Sequence, residues 1–478
     1  MEPSILERAE HPISRQDIDA NVLKVLYRLI NADHIAYLVG GSVRDLMMGR
    51  RPKDFDVATS AHPHEVHELF RNSRLIGRRF RLVHVFFGPQ NIEVATFRTR
   101  SEDVAESGDP MIQHDNTFGS PEDDAFRRDL TVNALFYDPR TFRVIDYVGG
   151  VPDLRARLIR TVGDPELRVR EDPVRMIRAV RFAAKLGFEI EEATQAAIVR
   201  HCGDLSKASV PRLVEETFRT LTLSNAARAV TLLERFGLLE IILPVLSLRL
   251  ESCGGDIESS PVVRNLTMLG KAIAAGVEPS RAAVLATVFA DLHLSAPRDT
   301  AQAKLAGLVD ELRLRGFSRA DTEHMRLMLH ALGHMLAPSR ITRRLARRPY
   351  FHETRQLYDW IAPAYGADPA SLEAVLAAAA EQQPPRHSRD AHRVNAANGA
   401  NPALGSRRRR RHGRGGRRHR RRSGAVAQLA TTAADVPAQT SVSAAASAEP
   451  PGAATVEISK PREAPRVQAA PRDPVDNR

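Results

Sequence analysis

The chain has 478 residues, with 69 lysines and arginines against 58 aspartates and glutamates and a formal charge of +11. This length allows roughly two to four domains, each with a real hydrophobic core, and the two cysteines exclude a disulfide scaffold or a cysteine-based zinc site. No apolar run approaches the roughly 20 residues of a membrane span. Residues 1–20 lack the apolar segment of a secretory signal, so we expect a cytoplasmic protein.

The excess charge is concentrated near the C-terminus. Residues 407–422 contain eleven arginines and no acids, so the rest of the chain is neutral. No aromatic residue follows Tyr365, and a chain of this composition cannot bury enough apolar surface to offset its ordering entropy. We therefore predict a disordered tail over 382–478 that binds RNA phosphates; a solvated tail without function is the alternative. The RNA-binding candidates in the tail are Arg407, Arg408, Arg409, Arg410 and Arg411.

The first strand of a catalytic region is predicted from Ile35 to Val39, and the helix that follows it ends at Gly49. Between them, Gly40-Gly41-Ser42 forms a turn that brings backbone N–H groups and a helix N-terminus to one place. This arrangement suits a phosphate chain. A plain tight turn is the alternative.

Asp54 and Asp56 follow shortly after this turn. In a strand, their spacing sends both side chains to the same face, where two carboxylates repel each other unless a cation or solvent separates them. Mg²⁺ binds a few carboxylates together with substrate phosphate oxygens, and a pair of such ions can activate a hydroxyl and stabilise a leaving pyrophosphate. A solvated strand edge is the alternative interpretation.

Two further strands, at residues 82–87 and 92–97, are separated by the turn residues 88–91 and predict a β-hairpin. Glu93 alternates with apolar neighbours in the second strand. It is a candidate for an additional acid near the metals, and it could equally be a solvent-facing residue.

An acidic loop is predicted over 101–125, followed by an amphipathic helix that begins near Arg127 and Arg128. On such a helix Asp129 and Asn133 are one turn apart on one face. The two arginines beside them could contact phosphates.

A fourth motif, EDPVRMIRAVRF, spans residues 171–182. Together with GGSVRD at 40–45, the two aspartates of DFD at 54–56 and RRDLTVN at 127–133, it resembles in order and spacing the class II nucleotidyltransferases. This is the family of tRNA CCA-adding enzymes and bacterial poly(A) polymerases. The resemblance covers about residues 11–250 strongly.

The resemblance implies a role for each matched residue. Asp54, Asp56 and Asp129 would be the catalytic acids, with Mg²⁺ or Mn²⁺ held by Asp54 and Asp56 and the part of Glu93 left open. The nucleotide-binding residues would be Gly40, Gly41, Ser42, Arg44, Arg128, Asn133, Asp172, Arg175 and Arg178.

Within that set, the resemblance implies that Asp172 and Arg175 read the incoming base by its Watson–Crick edge, with Arg178 near the phosphates. On one continuous helix Glu171, Arg175 and Arg178 would share a stripe. Asp172 before Pro173 is also well suited to cap a helix, which is the alternative for this residue.

The segment LIGRRFRLVH at 75–84 resembles the poly(A) polymerase branch rather than the CCA-adding branch, as does HPIS at 11–14. Its Arg78 and Arg79 are predicted to contact the RNA backbone; a solvated basic strand edge is the alternative. The implied activity is template-independent addition of AMP from ATP to RNA 3′ ends, with release of pyrophosphate, in RNA polyadenylation and turnover. The rivals are CCA addition to tRNA and a catalytically silent RNA-binding scaffold, against which the intact acids argue.

Beyond Phe188 we expect helices only, so the predicted fold class is α+β, with a small sheet-plus-helix head followed by helical neck, body and tail modules. RNA 3′ ends and ATP are the expected partners, the tail could also contact proteins of RNA turnover, and a monomer is favoured. Helical apolar spacing occurs at 191–201, 211–222, 225–236, 262–275, 280–292, 301–315, 320–335 and 352–363. The predicted domains are an N-terminal extension 1–30, a catalytic head 31–150, a nucleotide- and RNA-binding neck 151–250, a helical domain 251–381 and the tail 382–478.

Overall fold

The computed structural model describes residues 2–77, 81–99, 118–253 and 256–381. Within these ranges the strands of the main sheet are β1 Ser4–Leu6, β2 Ala36–Val39, β3 Asp56–Thr59, β4 Ser73–Ile76, β5 Leu82–Phe87, β6 Gln90–Thr96, β7 Leu135–Asp138 and β8 Arg143–Asp146. Their order across the sheet is β1-β8-β7-β2-β3-β6-β5-β4. Neighbouring strands are antiparallel except β3 and β6, which are parallel.

The two faces of this sheet have different surroundings. The helices near it are α1 Ala20–Ile30, α2 Gly41–Met47 and α3 Pro63–Leu69. Val57 of β3 lies on the helix-packed face and shares a buried cluster with Leu29 of α1. Asp56 and Ala58 alternate onto the opposite face, which we call the open face. A smaller buried cluster that includes Ala58 and Phe136 covers the β2–β3–β7 part of this open face.

The predicted hairpin is confirmed. β5 and β6 pair in antiparallel register, and Phe87 pairs with Gln90. The connection is therefore a two-residue turn, Gly88 and Pro89, which is shorter than predicted. β4 adds an edge strand beside β5.

The acidic stretch predicted as a loop over 101–125 is in part a helix, α4 Pro121–Phe126. Ser120 caps it, because its side-chain oxygen accepts a hydrogen bond from the Asp123 N–H at 3.2 Å while the Asp123 carboxylate accepts one from the Ser120 N–H at 2.9 Å. Acidic residues in a first helical turn also interact favourably with the helix dipole.

The helix predicted to begin near Arg127 is wrong. The chain turns after α4, forms one 3₁₀ turn over Thr131–Asn133 and enters β7. β-branched residues and the apolar run that follows favour a strand here. Asp129 and Asn133 are nevertheless neighbours, because the Asn133 side-chain amide donates to Asp129 Oδ1 at 3.3 Å.

Beyond the main sheet the described chain is helical apart from a short parallel pair, β9 Leu158–Ile159 and β10 Glu189–Ile190. The helices are α5 Gly150–Ala156, α6 Pro165–Glu171, α7 Val174–Leu186, α8 Glu192–His201, α9 Val210–Leu221, α10 Ala226–Arg235, α11 Leu238–Ile242, α12 Pro244–Glu251, α13 Pro261–Ala274, α14 Arg281–Leu294, α15 Arg298–Leu314, α16 Arg319–Leu336, α17 Arg340–Leu345, α18 Phe351–Ile361 and α19 Pro369–Glu381. All eight predicted helical segments are present, and the α+β fold class is confirmed. The expectation of helices only beyond Phe188 is wrong at β10, where Glu189 and Ile190 pair with Leu158 and Ile159. None of the helices in the described ranges is both long and apolar enough to cross a membrane.

The motif at 171–182 is divided between two helices rather than lying on one. α6 ends at Glu171 and α7 begins at Val174, because a residue that precedes proline is disfavoured in helical conformation. Arg175 still reaches back to Glu171, with 2.8 Å between Nη1 and Oε2. The predicted domain boundaries remain predictions.

Candidate active site

The turn between β2 and α2 requires glycine at its first position. Gly40 has φ 70° and ψ −132°, a conformation that residues with a Cβ rarely adopt. Its N–H donates to the Leu135 carbonyl at 3.0 Å, and an added Cβ would lie 2.9 Å from Nη1 of Arg128. Backbone, helix start and an arginine side chain therefore meet here, an arrangement that can bind a phosphate chain.

Ser42 and Arg44 lie beneath this turn. The Ser42 hydroxyl donates to the Val39 carbonyl at 2.9 Å. Arg44 is only 1% exposed, and its guanidinium donates to Asp45 Oδ1 at 2.8 and 2.9 Å and to the side-chain oxygen of Asn133. Both side chains support the turn from inside. Their contact with a triphosphate stays a prediction.

Three acids meet where β3 begins. Asp56 is the first residue of β3, and Asp54 precedes the strand rather than lying within it. The parallel register places Glu93 of β6 beside Asp56. The pKa of Asp56 is raised to about 6, mainly because neighbouring protein atoms reduce the hydration of its carboxylate; the Glu93 and Asp54 charges raise it further, while Arg128 lowers it.

The chemistry of these donors fits a divalent cation. Among the described residues no group of three or more His, Cys, Asp or Glu side chains is arranged to hold a metal by itself. Asp54 and Asp56 are exposed, and a cation would relieve the repulsion from Glu93 and Asp54 that contributes to the raised pKa of Asp56. Mg²⁺ commonly takes one or two carboxylates and completes its shell with water and substrate phosphate oxygens, so two protein ligands suffice.

Arg128 connects the glycine turn with these acids. Its guanidinium donates to Asp124 at 2.8 and 3.1 Å and to the Asn133 carbonyl at 3.2 Å. Its positive charge also acts on Asp56. The buried Asp124, which the sequence placed in a loop, is the residue that fixes this arginine. A capping serine before PEDDAF could have indicated the helix that carries it.

Asp129 is bound by an arginine of α7. Arg178 of α7 donates to Asp129 Oδ2 from Nε at 2.7 Å and from Nη2 at 2.6 Å. Burial works against ionisation of Asp129, but the Arg178 charge and the hydrogen bonds that it accepts hold its pKa below the ordinary value. Its assignment as a catalytic acid stays a prediction.

Glu216 of α9 completes this ionic group, and sequence reasoning missed it. Its carboxylate is buried and accepts from Arg181 Nε at 2.8 Å and from Arg178 Nη1 at 3.4 Å. A glutamate among the apolar positions of an amphipathic helix was the available signal.

Asp172 lies at the break between α6 and α7. Its Oδ1 accepts from the Val174 N–H at 3.2 Å, as the capping alternative predicts. It also forms a two-point ion pair with Arg212 of α9, at 3.0 and 2.7 Å. Arg175 donates to Glu171 and to the Arg168 carbonyl. Both predicted base-reading residues are therefore engaged by protein groups here.

The remaining predicted RNA-binding residues, Arg78 and Arg79 and the tail arginines Arg407–Arg411, lie outside the described residues. Of the predicted site, the structure brings together Gly40, Arg128, Asp56 and Glu93.

Two segments of the chain match known families. Residues 36–160 match the family described as "Poly A polymerase head domain", and residues 187–249 match the one described as "Probable RNA and SrmB- binding site of polymerase A". The first segment contains the glycine turn, the three acids and Arg128. Fold and site together define a nucleotidyltransferase head.

Curated relatives extend these matches. Poly(A) polymerase I of Salmonella typhi is 50% identical over 251 residues, which are 51% of this chain and 54% of that protein. The CCA-adding enzyme of Bacillus velezensis is 39% identical over 218 residues, 46% of this chain and 54% of that protein. The chain thus spans about half the length of the curated relatives it matches.

A solved structure shares the fold. The crystal structure of the Bacillus stearothermophilus CCA-adding enzyme in complex with CTP is 29% identical, covers 75% of this chain and 81% of that chain, and has a TM-score of 0.51. The resemblance of the chain to the class II nucleotidyltransferases is confirmed, with poly(A) polymerases as the nearer branch and CCA-adding enzymes as the more distant one.

Proposed function

We propose that the protein is a polynucleotide adenylyltransferase that adds AMP from ATP to RNA 3′ ends without a template. The proposal rests on one observation: Asp56 and Glu93 lie together with the Gly40 turn and Arg128. The chain is also 50% identical over 251 residues to a protein named poly(A) polymerase I. In the reaction, the RNA 3′ oxygen bonds to the α-phosphorus of ATP and the bond from the α-phosphorus to its bridging oxygen breaks. Pyrophosphate leaves, and the hydroxyl proton passes to water.

The roles of the chain's residues follow from their positions. The N–H groups after Gly40 and the Arg128 guanidinium bind the triphosphate. Asp54 and Asp56, with Glu93 beside them, hold Mg²⁺ or Mn²⁺, which when bound activates the hydroxyl and stabilises the leaving pyrophosphate. Asp129 acts mainly by positioning Arg178 at the nucleotide.

Base reading requires a change of partners in the neck. Asp172 is paired with Arg212, and Arg175 with Glu171. These ion pairs are partly exposed, so they contribute little to stability and exchange readily. We propose that binding of adenine to Asp172 and Arg175 replaces them.

The RNA substrate is proposed on three grounds. Residues 187–249 match a family described by RNA binding, the segment at 75–84 resembles poly(A) polymerases, and the tail is rich in arginine. RNA polyadenylation of this kind would place the protein in the cytoplasm.

CCA addition to tRNA is the second candidate, favoured by the structural likeness to a CCA-adding enzyme. Purified protein incubated with a labelled RNA unrelated to tRNA, and with each nucleotide triphosphate separately, distinguishes the two. We expect long products with ATP alone. Short products that need CTP and a tRNA would establish the second candidate, and no incorporation with any substrate would indicate a silent RNA-binding protein.

A further inference from the structure

A row of side chains crosses the open face of the sheet from the acids to its edge. The strand register pairs Asp56 with Glu93, Glu93 with His84 and His84 with Arg74. Paired residues in adjacent strands project from the same face. Neighbouring strands lie about 4.8 Å apart, so Arg74 is ~14 Å from Asp56.

His84 lies in the middle of this row, between the acidic end with Asp56 and Glu93 and the basic end with Arg74. His84 Nε2 lies 3.7 Å from Glu93 Oε2, and its Nδ1 lies 3.3 Å from the side-chain nitrogen of Asn91. The amide nitrogen donates to Nδ1, which leaves Nε2–H directed at Glu93. Glu93 is thereby paired within the row. Arg74 is exposed and has no ion pair with a described residue.

Apolar side chains surround Arg74 on the same face. Phe86, two residues after His84 in β5, is 38% exposed, and Ile76, two residues after Arg74 in β4, is 37% exposed. By contrast, the β2–β3–β7 part of this face is covered by the buried cluster around Phe136. Among the described residues of β4 and β5, this part of the face therefore presents an aromatic and an apolar side chain together with the cation Arg74, next to the acids.

We propose that Arg74, Ile76 and Phe86, here called the sheet-edge platform, bind the single-stranded RNA segment immediately 5′ of the reacting 3′ end. The proposal deepens the proposed function and rests on it. A base stacks on Phe86 and a phosphate pairs with Arg74, the two contacts by which proteins hold single strands without reading sequence. Negative RNA and a positive platform are complementary in charge, and the surface continues directly into the acid site.

The test compares primer dependence in Arg74→Ala, Phe86→Leu and the control Lys24→Ala. Lys24 is an exposed cation on α1, the helix that covers the opposite face. With oligoadenylate primers, we expect Phe86→Leu to raise the primer KM about fivefold or more, while the KM for ATP stays at the wild-type value. Arg74→Ala should reduce the salt slope of primer binding by about 0.7. Lys24→Ala should change neither.

Primer length provides a stronger criterion. Because Arg74 is ~14 Å from Asp56, the single internucleotide step of a dinucleotide primer does not reach it, so Arg74→Ala should match the wild type with that primer and differ from it with longer ones. A primer carrying 4-thiouridine close to its 3′ end should crosslink to the tryptic peptide of residues 82–98.

Two outcomes would overturn the proposal. An active wild type whose primer KM is unaffected by either variant would refute the platform and leave the adenylyltransferase standing. The proposal would also be refuted if the primer crosslinked to another peptide and both Arg74→Ala and Phe86→Leu reduced the capture of a protein partner. The surface would then be assigned to protein binding. A wild type that extends no RNA would refute the proposed function itself.

Discussion

Gly40→Ala is the substitution whose cost can be worked out most directly. An alanine at φ 70° and ψ −132° is strained by about 1–3 kcal/mol. Its Cβ would lie 2.9 Å from Arg128 Nη1, the atom that donates to the Asn133 carbonyl. Loss of that hydrogen bond from a charged group adds about 1.5–3 kcal/mol. We expect the free energy of unfolding to fall by about 2.5–6 kcal/mol in total, with adenylate transfer reduced more than tenfold.

Gly49→Ala is the matched control. Gly49 also has positive φ, at 67°, but no atom lies within 4 Å of its Cβ position. Only the backbone cost of about 1–2 kcal/mol applies, and transfer should be retained. Urea unfolding followed by circular dichroism measures both variants.

A double variant separates the contact from the strain. Arg128→Ala removes the atom that the new Cβ would meet, so Gly40→Ala should cost about 1.5–3 kcal/mol less in the Arg128→Ala background than in the wild type. Equal destabilisation by Gly40→Ala and Gly49→Ala, or strictly additive effects of Gly40→Ala and Arg128→Ala, would contradict this explanation.

Three further predictions concern acidic side chains: the metal-site aspartates, Glu216 and Glu234. Asp54→Ala and Asp56→Ala should each abolish nucleotide transfer, and so should chelation of the divalent metal. RNA affinity of both variants in a filter-binding assay should remain near that of the wild type. Nucleotide transfer by either variant would refute the assigned metal site. Glu216→Ala leaves the buried Arg181 without its carboxylate, while Arg178 keeps Asp129, and should lower the free energy of unfolding by about 3–5 kcal/mol. Glu192→Ala, at an exposed position of α8, should have little effect, and equal losses in the two variants would refute the network. Burial raises the pKa of Glu234 in α10, so the folded state binds the proton of this carboxyl more tightly than the unfolded state does. The free energy of unfolding therefore falls as pH rises above about 4.3, the pKa of a glutamate in the unfolded chain. Glu234→Gln should therefore raise Tm at neutral pH and leave it unchanged below pH ~4.3. An increase in Tm that is independent of pH would contradict this explanation.

Local chemistry made parts of the site predictable from sequence. The strand, glycine turn and helix at 35–49 depend on the conformational freedom of glycine and on short-range periodicity. The same holds for the β5–β6 hairpin. Both are confirmed by the structure.

The rest of the site depends on contacts that the sequence pattern does not encode. Asp56 and Glu93 are neighbours because of strand order, and Asp172 meets Arg212 because α9 docks on the α6–α7 break. The helix predicted from Arg127 does not form, because the segment enters β7 and pairs with other strands of the sheet. A turn followed by one 3₁₀ turn brings Asp129 and Asn133 together as well as a helix would.

The parallel pairing of β3 and β6 has a consequence for how the protein becomes active. Parallel neighbours cannot be joined by a tight turn, and here α3, β4 and β5 lie between them in the chain. Glu93 thus reaches Asp56 only after that whole segment has folded back, and contacts of such long sequence separation form slowly. During refolding, local preference favours the backbone of the glycine turn early, whereas its contacts with Leu135 and Arg128 and catalytic competence have to wait for closure of the sheet.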